Sequence, residues 1–240
     1  MWQLNDIWPA TSWALVDVDW NRKASFYITK RALAKVVVGM ERIVTGRVGY
    51  MVTSYPEEKK KVEVWAVNGH LEPINAVLKM QAFDIESGKE IELPQSERER
   101  NVMLLPNQTT ELTPDLGLTI PQAETTALAA YIIDSKTGDQ LARWVSWPEP
   151  MKFVHFSKKP DVTIEILDGG EEVVVSSKAP VKGVMVGVPL EEGGDDATFE
   201  DNFVDLVPGE SVKLKVSGID GRKLEARWLC DWENEEGFEL

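Results

Sequence analysis

The chain has 240 residues, 43% of them hydrophobic, and a formal charge of −14 from 40 acidic and 26 basic side chains, which suits one or two globular domains and excludes the disordered class. A sequence pI near 4.7 argues against a sequence-blind nucleic-acid binder and an anionic-membrane binder, because both need clustered Lys and Arg. The single cysteine, Cys230, excludes an intrachain disulfide and a multi-cysteine zinc site. His70 and His155 lie far apart in sequence, so no metal centre and no cofactor is expected. No apolar run approaches the ~18–20 residues of a bilayer span. The start, Met1 to Asp6, has an acidic residue where a secretory signal would be basic, so the expected location is cytoplasmic, or the chain is a piece of something longer.

Residues 1–34 hold four of the nine tryptophans, Trp2, Trp8, Trp13 and Trp20. Trp2 to Asp6 reads as a short strand that ends in an Asn-Asp step, then an aromatic residue and a proline. From Lys23 to Ala34 the residues favour a helix, with Ala24, Tyr27, Ile28 and Ala32 on one stripe and Lys30 and Arg31 near the C-terminal end, where the helix dipole favours cations. Asn21 is the expected N-cap. A segment this short cannot bury the aromatic surface it carries. Either it docks on the domain that comes next in the chain or the rest of its own domain lies elsewhere, with the apolar side of the helix facing solvent or a neighbour.

After Ala34 the hydrophobic period changes to two. Val62, Val64 and Ala66 alternate with Glu63 and Trp65, and Leu78, Met80 and Ala82 alternate with Lys79 and Gln81. Further strands are predicted at 36–44, 50–55, 100–105, 127–133 and 141–147, separated by turns such as Asn68-Gly69 and Ser87-Gly88. About seven short strands in ~110 residues indicate an antiparallel sandwich. Trp147-Pro148-Glu149-Pro150 reads as a stiff connector, since neither proline can donate to a ladder. A second series is predicted at 151–157, 162–167, 172–177, 181–188, 202–206, 211–216 and 223–230. The fold class is therefore mainly β, two β-sandwiches in tandem after a short α/β piece, divided as 1–34, 35–148 and 149–240.

Several chemical readings are bland. Glu191-Glu192-Gly193-Gly194-Asp195-Asp196 lacks the regular spacing of a calcium loop and reads as a solvated hairpin. Asn107-Gln108-Thr109 is a formal glycosylation sequon on a loop. Cys230, His70 and His155 read as structural. Trp144 and Trp147 are expected to pack between the sandwiches. Trp65, Trp144, Trp228 and Trp232 are the only aromatic platforms outside the first segment that a free-standing carbohydrate-binding or adhesive sandwich could use. Of these, Trp144 and Trp228 are expected to face cores and Trp232 to be exposed.

The string Trp2-Gln3-Leu4-Asn5-Asp6-Ile7-Trp8-Pro9 carries the sharpest functional signal. A strand-end indole can stack on the apolar face of a pyranose while Asn and Asp bond its hydroxyls. With Thr11-Ser12-Trp13-Ala14, Asp17, Lys23-Ala24 and the Tyr27 helix, the string resembles the end of the catalytic barrel of family 2 glycoside hydrolases, and more narrowly the fungal intracellular β-mannosidases. Asp201-Asn202-Phe203-Val204-Asp205-Leu206-Val207-Pro208-Gly209-Glu210 resembles a signature of their last domain. The resemblance implies that residues 1–34 are the last strand and helix of a (β/α)8 barrel, followed by two immunoglobulin-like sandwiches that brace it or carry a homodimer contact. It implies a retaining exo-glycosidase acting on terminal β-D-mannose of oligosaccharides, with two glutamates about 5–5.5 Å apart. Both glutamates are expected on earlier barrel strands, upstream of Met1, so no catalytic residue is assigned within 1–240 and this stretch alone is expected to be inactive. Trp2 is the implied sugar platform, with Asn5, Asp6 and Trp8 on the same rim, at the strand ends where barrel active sites sit. The expected partners are a β-mannoside oligosaccharide and the rest of the barrel. Activity on β-galactosides, β-glucuronides or β-glucosaminides is the alternative within the family.

Overall fold

In the computed structural model, residues 3–45, 59–113, 123–167, 169–194 and 196–231 are described. Met1, Trp2, the predicted strand at 50–55 and Trp232 lie outside them. The chain divides into two compact units, one made of residues 34–85 and 89–155, the other of residues 1–33, 86–88 and 156–240.

The first unit is a sandwich of antiparallel strands. β1 (Val36–Thr45), β2 (Lys59–Asn68) and β6 (Gln108–Glu111) form one sheet in the order β1-β2-β6. The other sheet runs β4-β3-β7-β8, with β5 also paired to β3; its strands are β3 (Ile74–Asp84), β4 (Glu90–Ile91), β5 (Glu99–Leu104), β7 (Thr126–Asp134) and β8 (Gln140–Ser146). The period-two pattern sets the inner faces. Val36, Val38 and Met40 of β1 and Val62, Val64 and Ala66 of β2 meet Leu78, Met80, Leu128 and Ile132, all buried. Arg42, on the inner face of β1, joins the sheets. Its Nε donates to Ser146 Oγ (2.9 Å), Nη1 to Ala123 O (2.8 Å) and Nη2 to Thr126 O (2.6 Å). Trp144 shares the inner face with its register partner Ala130 but stays 37% exposed, because β8 is the edge strand of its sheet; Trp147 is buried.

The second unit contains a smaller sandwich. One sheet runs β12-β14-β10-β9, from β9 (Thr163–Ile166), β10 (Glu172–Ser176), β12 (Thr198–Phe199) and β14 (Ser211–Ser217). The other runs β13-β11-β15, from β11 (Val181–Gly187), β13 (Val204–Leu206) and β15 (Glu225–Arg227). Val173, Val175, Val184, Leu206 and Leu214 fill the space between them, with Trp228 packed partly buried against this core. The predicted strand at 151–157 is not formed. Met151–Phe153 is a 3-10 turn whose amides are satisfied locally, Phe153 N donating to Pro150 O and Val154 N to Met151 O. No helix among the described residues is long and apolar enough to cross a membrane.

Candidate functional site

The indole-rich opening segment folds through a few local bonds rather than a ladder. Leu15 N and Val16 N both donate to Leu4 O, and Asp6 N donates to Val16 O at 2.9 Å, so Asn5 and Val16 form one parallel bridge. Val16 also bridges Arg22 in antiparallel fashion. The strand expected to end at Asp6 is thus reduced to isolated bridges among the described residues, since only 15–16 runs alongside 4–6. Between the bridges, Asp17 shapes a turn. Its Oδ1 accepts from Asp19 N and Asn21 N, and its Oδ2 from Asn21 Nδ2.

That turn takes Asn21 away from the helix. α1 spans Ala24–Ala32 with Lys23 at its N-cap position and no side-chain cap. Lys23 has a different task. Its Nζ lies 2.7 Å from Asp6 Oδ2, while Ser12 Oγ donates to Asp6 Oδ1 at 2.5 Å and itself accepts from Ala14 N. The Asp6 carboxyl is only 6% exposed and sits below its ordinary value of 3.8, chiefly through the Lys23 hydrogen bond and then that of Ser12. One buried carboxylate therefore ties together the 4–6 segment, the 11–14 loop and the start of α1.

The Asp6 tie leaves its neighbours outside. Trp8 is 74% exposed and Ile7 84%, and Trp13 and Trp20 are as open. Asn5 is half-buried; its Nδ2 donates to Asp6 O at 3.1 Å, and its Oδ1 has no partner among the described residues. Of the four sequence-predicted sugar contacts, the structure brings Asn5, Asp6 and Trp8 onto one loop, points the Asp6 carboxylate inward, and does not describe Trp2. Sequence reasoning missed Lys23 and Ser12 as the groups that hold Asp6, although both belong to the strings that carry the family resemblance.

The segment docks on the sandwich of its own unit, the second along the chain, through a strip on α1. Arg31 Nη1 pairs with Asp201 Oδ1 and also donates to Asn202 O (3.0 Å), and Nη2 donates to Phe203 O (3.1 Å). Lys30 Nζ donates to Glu200 O and Arg22 Nη1 to Phe199 O. Tyr27, the only buried residue of α1, packs on Phe203 with ring centroids 5.9 Å apart, and burial raises its phenol above the ordinary value. The two basic residues near the helix end thus bond carbonyls and carboxylates of the 199–203 stretch. Of the predicted apolar stripe, Tyr27 is thus buried on the sandwich while Ile28 stays exposed, as does Leu33 at the end of the helix.

Each residue of the Asp201–Leu206 string has a physical task. Asp201 receives Arg31. Asn202 works as a surrogate strand: its Oδ1 accepts from Val186 N and its Nδ2 donates to Val186 O. Phe203 meets Tyr27, Val204 and Leu206 enter the core, and Asp205 Oδ1 accepts from Gly183 N at 2.8 Å. Gly183 sits at φ +67° where the β11–β13 register slips between Val181 and Val184, a backbone that favours glycine.

Among the described residues no group of three or more His, Cys, Asp or Glu side chains could hold a metal ion. Comparison with known proteins agrees with the two sandwiches. A Mannosidase Ig/CBM-like domain model matches residues 60–152 and an Ig-fold domain model residues 157–228. Beta-mannosidase B of Thermothelomyces thermophilus is 37% identical over 95% of this chain and 27% of its own length; that of Aspergillus niger is 32% identical over 95% and 26%. In structure, a beta-D-mannosidase from Dictyoglomus thermophilum superposes with a TM-score of 0.69 at 19% identity, over 95% of this chain and 25% of the other. An exo-chitosanase from Amycolatopsis orientalis gives a TM-score of 0.56 at 15% identity, over 95% and 29%, which shows the shared fold. The fold and the motifs define a chain of tandem immunoglobulin-like sandwiches of the kind glycosidases carry. Within that class the chain is similar to the β-mannosidases, whose Ig/CBM-like and Ig-fold domain models match it in tandem, and it spans about a quarter of the length of the relatives it matches.

Proposed function

We propose that this chain is the C-terminal part of a β-mannosidase, a retaining exo-glycosidase that removes terminal β-D-mannose from oligosaccharides. The observation that carries this reading is the 37% identity over 95% of the chain to a beta-mannosidase B, an alignment that includes the opening segment as well as the sandwiches. Within it, residues 1–34 supply the last strand and helix of the catalytic barrel, and 35–148 and 149–240 are the two sandwiches. Both glutamates lie upstream of Met1, on the portion the relatives have in addition. The exposed Trp13, Trp20 and Ile7 form the face that the rest of the barrel covers. Trp2, Asn5 and Trp8 face the sugar. Asp6 shares their rim but acts by holding the loop, since Lys23 and Ser12 already engage both its oxygens. The protein works in the cytoplasm, and its sandwiches brace the barrel and offer a dimer contact.

The test is an activity comparison with p-nitrophenyl-β-D-mannoside and the corresponding β-galactoside, β-glucuronide and β-glucosaminide. The 240-residue chain alone turns over none of them, because it supplies a subsite wall without acid or nucleophile. A chain extended upstream through a complete barrel hydrolyses the mannoside, and Trp2→Ala in that longer chain abolishes most of the rate. Turnover by the 240-residue chain above its own Trp2→Ala control defeats the reading.

A further inference from the structure

The outer face of the β1-β2-β6 sheet combines an aromatic ring, hydrogen-bonding side chains and a cavity. Gly39, Trp65 and Glu111 are register partners in a row across the three strands, with Glu41 opposite Glu63 and Val67 opposite Thr109. A cavity of about 340 Å³ opens on this face, lined by Glu41, Glu63, Trp65, Thr109, Glu111 and Thr113. That volume lies at the low end of the ~300–1,000 Å³ typical of small-ligand clefts.

The indole lies low on the sheet because its cross-strand neighbour is glycine. A Cβ at Gly39 would stand 2.7 Å from Trp65 Cε2 and Cζ2, so any side chain there would push the ring off the face. Val64 and Ala66 on either side point into the core, which leaves Trp65 half-buried on the outside. Stability alone does not account for this face. Glu41 and Glu63 stand directly opposite each other, an arrangement that costs energy. Among the described residues, Glu41, Glu63 and Glu111 have no ion-pair or hydrogen-bond partner.

These features specify a ligand chemistry. Carboxylates only accept hydrogen bonds, so the ligand must be rich in donors, and the negative field excludes an acidic one. The acceptors flank the ring on three strands, a span of about 10 Å, which suits many donors spread along a body rather than one point cation. We infer that this groove binds a neutral oligosaccharide, one pyranose stacking its C–H face on Trp65 while hydroxyls donate to Glu41, Glu63 and Glu111 and exchange hydrogen bonds with Thr109. The inference does not depend on the barrel-end reading, since a chain without catalysis would still bind.

Titration calorimetry on the full 240-residue chain, with β-1,4-linked mannohexaose and cellohexaose as probes, tests it. The expected result is saturable binding of at least one probe with a dissociation constant on the order of 1 mM, insensitive to added salt. Trp65→Ala weakens it at least about tenfold, the exposed-site variant Glu111→Gln weakens it by a smaller factor, and Trp13→Ala leaves it unchanged. Circular dichroism melting of each variant checks that the fold is intact. No binding of either probe overturns the inference, as does binding that survives Trp65→Ala or disappears in Trp13→Ala. So does preferential, salt-sensitive binding of hexalysine, which would make the face a site for basic peptides.

Discussion

The guanidinium of Arg31 and the carboxylate of Asp201, 170 residues apart in sequence, stand with Nη1 and Oδ1 2.5 Å apart and join the opening helix to the sandwich of the same unit. The same guanidinium donates to the carbonyls of Asn202 and Phe203, so a single side chain satisfies three acceptors. Arg31→Ala should free the 1–33 segment while the sandwich stays folded, because Asn202 and Asp205 hold their strands by separate bonds. The expected cost of undocking is about 1.5–3 kcal/mol, the usual worth of hydrogen bonds to a charged group. Hydrogen exchange should show the amides of α1 losing protection with those of β11 and β14 unchanged. Arg31→Lys should rescue little, since an ammonium cannot reproduce the forked geometry.

Arg42 does the corresponding work inside the other sandwich, with neutral acceptors in place of a carboxylate. Burial pushes its guanidinium down to about 10, against the opposing influence of Glu149, so it remains charged at neutral pH. Replacing it with Leu leaves the carbonyls of Ala123, Thr126 and Ser146 without that donor. The expected loss is on the order of 2–4 kcal/mol, read from the midpoint of urea unfolding at unchanged slope.

The strands of both sandwiches were readable because alternation of apolar and polar residues maps directly onto the two faces of a sheet. Val62, Val64 and Ala66 show the match, each buried while Glu63 and Trp65 are not. Where a strand is too short to alternate, as at Thr198–Phe199 and Glu90–Ile91, the pattern had no length in which to appear. The 151–157 stretch misled for the opposite reason: its composition suits a strand, but no partner strand among the described residues takes up its amides.

The opening segment was legible as a motif and illegible as a structure. Its indoles and its Asn-Asp step stand out in sequence, yet which carboxylate turns inward depends on Lys23, 17 residues away. Asn21 has the composition of an N-cap but is captured by Asp17 four residues before it, a competition between two local bonds that composition does not decide. The docking of α1 on residues 199–203 is a contact between distant stretches, and nothing local in either one announces it.

Arg100 carries a prediction of the opposite sign. It lies on β5 opposite Leu78, its Nε and Nη2 are fully buried, and neither has a hydrogen-bond partner among the described residues; Thr110 Oγ1 on β6 is in the same condition. Glu97, whose carboxyl is raised by burial, feels the Arg100 charge as a partial offset. A desolvated guanidinium without acceptors contributes strain, so Arg100→Met should leave stability unchanged or raise it by about 1 kcal/mol. The same substitution should raise the Glu97 carboxyl further, visible by NMR titration. A loss of more than about 2 kcal/mol would mean that the stem of Arg100 packs better than a thioether can.

Asp6 sets how the opening segment responds to acid. Its folded value lies below the ordinary 3.8 it has in the unfolded chain, through Lys23 first and Ser12 second. A carboxyl with a depressed folded value binds its proton more readily when unfolded, so its stabilising contribution is complete above the unfolded value and declines as pH falls through the folded one. The 1–33 segment should therefore hold through neutral and mildly acidic pH and loosen below about pH 4, as Lys23 loses its anion. Trp8, Trp13 and Trp20 are already exposed, so their fluorescence reports little. The better readout is acid-protease cleavage between Asp6 and Lys23, by pepsin, over a pH series. In Asp6→Asn the carboxamide cannot ion-pair with Lys23, so the acid step should vanish and cleavage should be fast at every pH tested. An acid step of the same size in the variant would assign the transition to another carboxylate and leave Asp6 without its holding role.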